Sequence, residues 1–163
     1  MTVRRAVIND FEAVYNILAK AKGKEVPFPI YLIHESPYFI VHESIEGVDG
    51  FLLARPIDNI LKIDHFYYLN EKAGKELFSQ ALKDFGDQFK FIIYLQENDS
   101  RTDFLKKNKF ELKDVLFESG EKIYLYAYAG ERKIKKIKRK KKTTKKFSKY
   151  LEKNLKKLDS LSV

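Results

Sequence analysis

Chemistry first becomes conceivable in this chain at a lysine-flanked glycine set between an apolar strand and an amphipathic helix. Phe66-Tyr-Tyr-Leu69 is apolar, Asn70-Glu-Lys-Ala-Gly74 reads as a polar turn, and Leu77, Ala81, Leu82 and Phe85 recur at helical spacing over Lys75–Phe85. Strand, turn and helix in that order offer backbone N–H groups to an anion beyond the strand. Lys72 and Lys75 add positive charge. The turn has a single glycine, and Glu76 at the helix start would repel a phosphate by about 1 kcal/mol at close range in water. The same residues also fit a plain capped helix start, with Glu76 answering the helix dipole.

Other reactive side chains are sparse. The words His34-Glu-Ser36 and His42-Glu-Ser44 recur eight residues apart, but no third cluster completes four ligands, so they read as strand-end surface residues and no metal site is expected. The chain has no cysteine, which excludes a disulfide framework, a thiolate nucleophile and a cysteine-ligated zinc. No apolar run approaches eighteen residues and no charged-then-apolar leader follows Met1, so the expectation is a cytoplasmic protein with no transmembrane segment.

Charge is divided sharply along the 163 residues. Residues 131–163 carry fifteen Lys and Arg against Glu131, Glu152 and Asp159, a net +12, which leaves −3 on residues 1–130 out of the total of +9. The expected organisation is therefore one domain over 1–130 and a basic tail over 131–163. The run Arg132, Lys133, Lys135, Lys136, Lys138, Arg139, Lys140, Lys141, Lys142 repels itself into an extended form when free. Phe147, Leu151, Leu155 and Leu158 then mark an amphipathic helix near 147–161. A nucleic acid or ribonucleoprotein is the foremost partner for such a tail, because neutralising ~8–12 charges would release counterions. Docking on the chain's own body or on a second copy as a homodimer, an anionic membrane surface, and a solubilising extension fit the same pattern.

The elements that must position these residues can be read in order. Val3–Ile8 is a strand, and Asn9-Asp10 caps a helix with Phe11, Val14, Tyr15, Ile17 and Leu18 on one face, ending near Lys20–Gly23. Prolines 27, 29 and 37 keep the next segment irregular. Tyr38–His42 and Gly50–Arg55 form a hairpin around the turn-rich Glu46–Gly50, and Ile60–Leu69 is a third strand running into the opening turn. Phe89–Leu95 is a buried strand, Asn98 or Ser100 caps a short helix to about Asn108, and Phe110–Phe117 and Ile123–Ala129 pair around Glu118–Glu121. The fold class is α+β, a mixed, mostly antiparallel sheet flanked by helices.

This order, the opening words Val3-Arg-Arg-Ala-Val-Ile-Asn-Asp10, and Asn98 followed by Phe104-Leu-Lys-Lys-Asn-Lys-Phe110 together resemble the GCN5-related N-acetyltransferase (GNAT) superfamily over roughly residues 2–129. The resemblance implies acetyl-CoA as cofactor and transfer of its acetyl group to an amine. In that family the turn after the fourth strand carries Arg/Gln-x-x-Gly-x-Gly/Ala, whose amides hold the pyrophosphate. Here Ala73, Glu76 and Phe78 take the three defining positions, so all three depart from it. Gly74 stands where many members carry an extra glycine.

The cofactor-binding residues so implied are Tyr68, Leu69, Lys72, Gly74, Lys75, Asn98 and Phe104. The fourth-strand carboxylate that often serves the family as base falls near Lys62, which makes Asp64 and His65 the nearest replacements. Strand alternation allows only one of them to face the cleft, and Asp64 is slightly favoured. The family's acidic tyrosine falls at Leu105, which cannot donate a proton; Tyr67, Tyr68 and Tyr94 are near. Two functions follow: an acetyl-CoA-dependent N-acetyltransferase with an anion-binding tail, or a non-catalytic protein of the same fold acting through that tail.

Overall fold

A computed structural model describes residues 2–25, 27 and 36–130. The chain divides after Glu131, and all described residues lie in the first unit. The basic run, the 147–161 pattern, His34 and Glu35 fall outside them.

The described chain runs β1 (Thr2–Arg5), a 3-10 turn (Ile8–Asp10), α1 (Phe11–Lys22), β2 (Phe39–Ser44), β3 (Gly47–Ile57), β4 (Ile60–Tyr68), α2 (Glu71–Phe85), β5 (Lys90–Gln96), α3 (Thr102–Lys107), β6 (Phe110–Glu118) and β7 (Glu121–Tyr128). Seven strands form one sheet in the order β1-β2-β3-β4-β5-β7-β6. Every pairing is antiparallel except β4 with β5, because the α2 crossover returns the chain in the same direction. The α+β expectation holds.

Several boundaries shift. The first strand stops at Arg5, where Asp10, instead of capping α1 with its side chain, turns back to accept hydrogen bonds from the two terminal Arg4 nitrogens, Nη1 and Nη2 (2.8 Å each), and from the Val7 amide (2.8 Å). The hairpin turn lies at Ile45-Glu46, so residues 47–50 belong to β3. The second helix begins at Glu71, four residues before the expected Lys75. Asn70 supplies the missing signal, its side chain accepting the Ala73 amide at 2.8 Å.

Two cores separate the faces. Val14, Ile17 and Leu18 of α1 pack with Phe39, Val41, Phe51, Leu53 and Tyr67 on one side of the sheet. On the other, Leu77, Phe78 and Ala81 of α2 and Phe104 and Leu105 of α3 cover Leu52, Leu61, Ile63, Phe66, Phe91 and Ile93. Phe78, at a position the resembled family keeps small, is a core ring here, 5.0 Å from Phe110, 5.2 Å from Tyr128 and 5.8 Å from Phe91. Gly50 lets α2 approach β3: a Cβ there would stand 2.9 Å from a Leu77 methyl.

Two bulges aim carboxylates. Opposite β2, His42 pairs with Gly50 and Glu43 with Val48, which leaves Asp49 as the extra residue of β3. Opposite β3, Leu53 pairs with His65 and Ala54 with Ile63, which leaves Asp64 as the extra residue of β4. An extra residue breaks alternation and re-aims side chains.

Candidate functional site

β4 and β5 are paired only from Ile60–Ile63 to Lys90–Ile93. Beyond that point β4 continues to Tyr68 and β5 to Gln96, β5 staying paired to β7. The two strands thus splay, and among the described residues the last turn of β4 has a strand partner only on its β3 side. Its Phe66 carbonyl accepts a hydrogen bond from Arg101 Nη1 at 3.0 Å. Arg101 stands between β5 and α3, paired through Nε and Nη2 with both Asp99 oxygens (2.9 and 2.7 Å) and stacked 4.4 Å from the Tyr67 ring centre. Burial alone would push the Asp99 carboxyl up, but the Arg101 guanidinium holds it below its ordinary value. Sequence reasoning missed Arg101; the Asp99-x-Arg101 spacing in a turn is the signal it offered.

The turn from β4 into α2 is only Leu69 and Asn70, shorter than the expected cradle. The Gly74 amide lies inside the helix, donating to the Asn70 carbonyl at 3.3 Å. Gly74 serves close approach: a Cβ there would stand 2.7 Å from the Tyr68 ring. That ring lies between the two helices, with its centre 5.0 Å from that of Phe104. Burial raises the Tyr68 phenol to about 12, so it stays protonated at neutral pH. Lys72, Lys75 and Leu69 are exposed at this end, as is Asn98, which takes a left-handed φ of 63° after β5. The short helix has Arg101 at its N-cap position with no side-chain cap bond, so neither Asn98 nor Ser100 caps it; the Asp99 carbonyl accepts the Thr102 amide at 3.2 Å in the turn before it. Tyr68, Phe104 and Gly74 are thus gathered beside the splay, while Lys72 lies toward the β2–β3 hairpin and Lys75 toward Val3 of β1.

Glu76 does not face that opening. Its carboxylate meets Nε2 of His42, whose Nδ1 meets the Asp49 carboxylate. His42, expected at the surface, is 1% exposed. It shares the α2 face of the sheet with Ile40, and the Asp49 bulge brings a carboxylate to its other nitrogen. Burial would lower its pKa, but the two carboxylates raise it above the ordinary imidazole value. Asn70 Nδ2 donates to Asp49 at 3.3 Å and the Leu69 amide donates to the Asp49 carbonyl at 2.8 Å, tying the same cluster to the turn. Because the carboxylates sit on opposite edges of the ring they do not converge on one point, and among the described residues no group of His, Cys, Asp and Glu could hold a metal.

The Asp64 bulge corrects the alternation argument. Leu61, Ile63 and Phe66 face the α2 side, whereas His65 lies against Phe51 and Tyr67 on the α1 side (6.4 and 6.3 Å between ring centres). Asp64 and His65 accordingly line one cleft of about 500 Å³ together with Ser36, Leu53, Ala54 and Arg55. Their characters differ. Asp64 is ion-paired to Arg55 at 3.0 Å and Lys62 at 3.3 Å. His65 is pushed below its ordinary pKa by burial, against the pull of Asp64, and is neutral at pH 7. The two side chains thus share one cleft with different partners, Asp64 in ion pairs and His65 against aromatic rings. Leu105 is fully buried in the α2-side core and takes no part.

Solved structures of similar fold are acetyltransferases. Ard1 from Thermoplasma volcanium superposes with a TM-score of 0.63 at 22% identity over 79% of this chain and 98% of that one. The ribosomal-protein-S18-alanine N-acetyltransferase of Escherichia coli gives 0.62 at 11% identity, over 80% of this chain and 96% of that one. The PaiA N-acetyltransferase of Thermoplasma acidophilum, solved in complex with coenzyme A, gives 0.59 at 18% identity, over 78% of this chain and 98% of that one. Neither a family model nor a curated protein sequence matches the chain. The described residues thus carry the GNAT fold.

Proposed function

We propose that this chain is an N-acetyltransferase of the GNAT superfamily that moves an acetyl group from acetyl-CoA to an amine. The observation that carries this reading is the splay of β4 from β5 after Ile63 and Ile93 beside the N-terminal end of α2. The residues there fit coenzyme A: the β4 edge offers backbone groups to an amide-bearing arm, and the helix dipole with Lys72 and Lys75 favours phosphates. Glu76, the acid that would oppose them, is engaged by His42. The Arg101 bond to Phe66 must give way for an arm to take that carbonyl.

When bound, acetyl-CoA supplies an activated acyl group as a thioester. The chain's own part is to hold the amine and remove its proton. Neutral His65 can accept the proton of an ammonium group directly or through water, leaving the nitrogen lone pair free to attack. Asp64, ion-paired to Arg55 and Lys62, orients the cleft's polar edge. Tyr68, protonated and beside the splay, can donate its phenolic proton. A body of net −3 suits a basic acceptor such as a lysine side chain or a protein N-terminus. The tail's lysine run would bring the enzyme to a nucleic acid or ribonucleoprotein.

Calorimetry of the full-length protein with acetyl-CoA and with desulfo-CoA tests the reading. Binding of both is expected, and no heat at millimolar ligand overturns it in favour of a scaffold that has the fold without the cofactor.

A further inference from the structure

Glu76 stands where the resembled family keeps glycine, one turn into a helix whose start is the natural place for phosphates. Side chains on a helix lean toward its N-terminus and cover the turn before their own Cα. Left free, the Glu76 carboxylate would lie over Lys72 and Ala73. It is instead drawn sideways to the sheet, onto a buried imidazole.

That imidazole has carboxylates on both nitrogens, Asp49 at Nδ1 and Glu76 at Nε2. Two acceptors require two N–H donors, so the ring at this place is an imidazolium and one of the two carboxylate charges is cancelled. The three groups come from β2, β3 and α2, and only the Asp49 bulge lets the second carboxylate reach the ring. The proposal rests on the acetyl-CoA reading above. We propose that His42 is a positioning residue: it clamps Glu76 against the sheet so that the α2 start can accept the phosphates of coenzyme A despite carrying an acid.

The clamp has a pH sense. The other charged groups around it are Lys72 and Glu46, which line the same cleft as His42 and Asp49; Lys75 and Lys83 on the Glu76 side; and Glu43, held by Arg4 of β1 at 2.8 Å. None of these is placed between a ring nitrogen and its carboxylate. Losing a ring proton leaves one carboxylate facing a lone pair, and half-exposed Glu76 is the freer of the two to leave. Coenzyme affinity should therefore fall as pH rises through the folded pKa of His42, which lies above 6.5.

Desulfo-CoA affinity measured by calorimetry for the wild type, H42Q, E76Q and the double variant tests this, with nitrogen NMR of the His42 ring as a readout independent of turnover. The expected pattern is a fivefold to tenfold weaker affinity in H42Q, about the effect of one uncancelled charge near the site. In E76Q the affinity should be retained, and adding H42Q to E76Q should cost nothing further. Both ring nitrogens should be protonated at pH 7 in the wild type. An equal loss from H42Q in either background marks a merely structural histidine and overturns the proposal, as does an unchanged H42Q or a neutral ring at pH 7. Failure of wild type and E76Q alike to bind overturns the acetyltransferase reading and this role with it. Binding by the wild type with any of the other failures overturns this role alone.

Discussion

Replacing Arg101 with methionine should lower stability and raise coenzyme affinity, two effects of opposite sign from one side chain. Three contacts disappear. The two-pronged pair with Asp99 joins side chains 13% and 17% exposed. Removing one partner of a fully buried pair costs about 3–5 kcal/mol. Here Asp99 can partly rehydrate and still accepts the residue-101 amide, so about 1–2 kcal/mol is a better figure. Losing the bond to the Phe66 carbonyl costs about 1 kcal/mol, and losing the guanidinium from the Tyr67 ring about 0.5–1 kcal/mol. Methionine recovers some of the packing of the stem. The sum, about 3 kcal/mol, is a large part of a domain's margin and corresponds to a melting temperature roughly 10 °C lower. The same substitution frees the Phe66 carbonyl for an incoming amide, so desulfo-CoA should bind about three- to tenfold tighter. Urea unfolding followed by calorimetry on the still-folded variant measures both. A loss of affinity of tenfold or more would refute the reasoning, because Arg101 would then be a binding group and not a plug in the splay.

Two further outcomes bear on other parts of the chain. His65→Gln should reduce kcat by about 10²–10⁴, with Asp64→Asn far milder, and the wild-type pH profile should show an acidic limb with its midpoint below 6.5; a larger effect from Asp64 would return the base to the carboxylate. Burial of neutral His65 also makes the folded state lose stability as pH falls through its unfolded pKa of about 6.5, whereas His42, raised on folding, makes it lose stability as pH rises through its folded pKa. Deleting residues 131–163 should abolish binding to RNA or DNA measured by fluorescence anisotropy while the body stays folded. The full chain's log–log salt slope should be about −6 to −10, and unchanged affinity in the truncated protein would refute the tail's role.

The sheet and helices were legible because their signals are local: the apolar run Phe89–Leu95, apolar spacing in Phe11–Leu18, and a Ser119-Gly120 turn that needs left-handed φ at both residues. The site was legible only where it follows from element order, since the splay beside Gly74 comes with the crossover and not with any residue type. Everything decided by a bulge was hidden. Asp49 and Asp64 look like ordinary strand residues, yet each is the extra residue in its ladder, and each turns its neighbourhood by one position. That slip put Asp64 and His65 in one cleft where alternation had separated them, and it set a carboxylate against a histidine seven residues earlier. Glu76 shows the same limit from the other side. Read along the chain it is a charge in a phosphate cradle, while read across the sheet it is the partner of His42, thirty-four residues away. A departure from a family's motif is thus weak evidence of lost function until the side chain's cross-sheet partner is known, because a buried counter-charge can restore what the substitution removes.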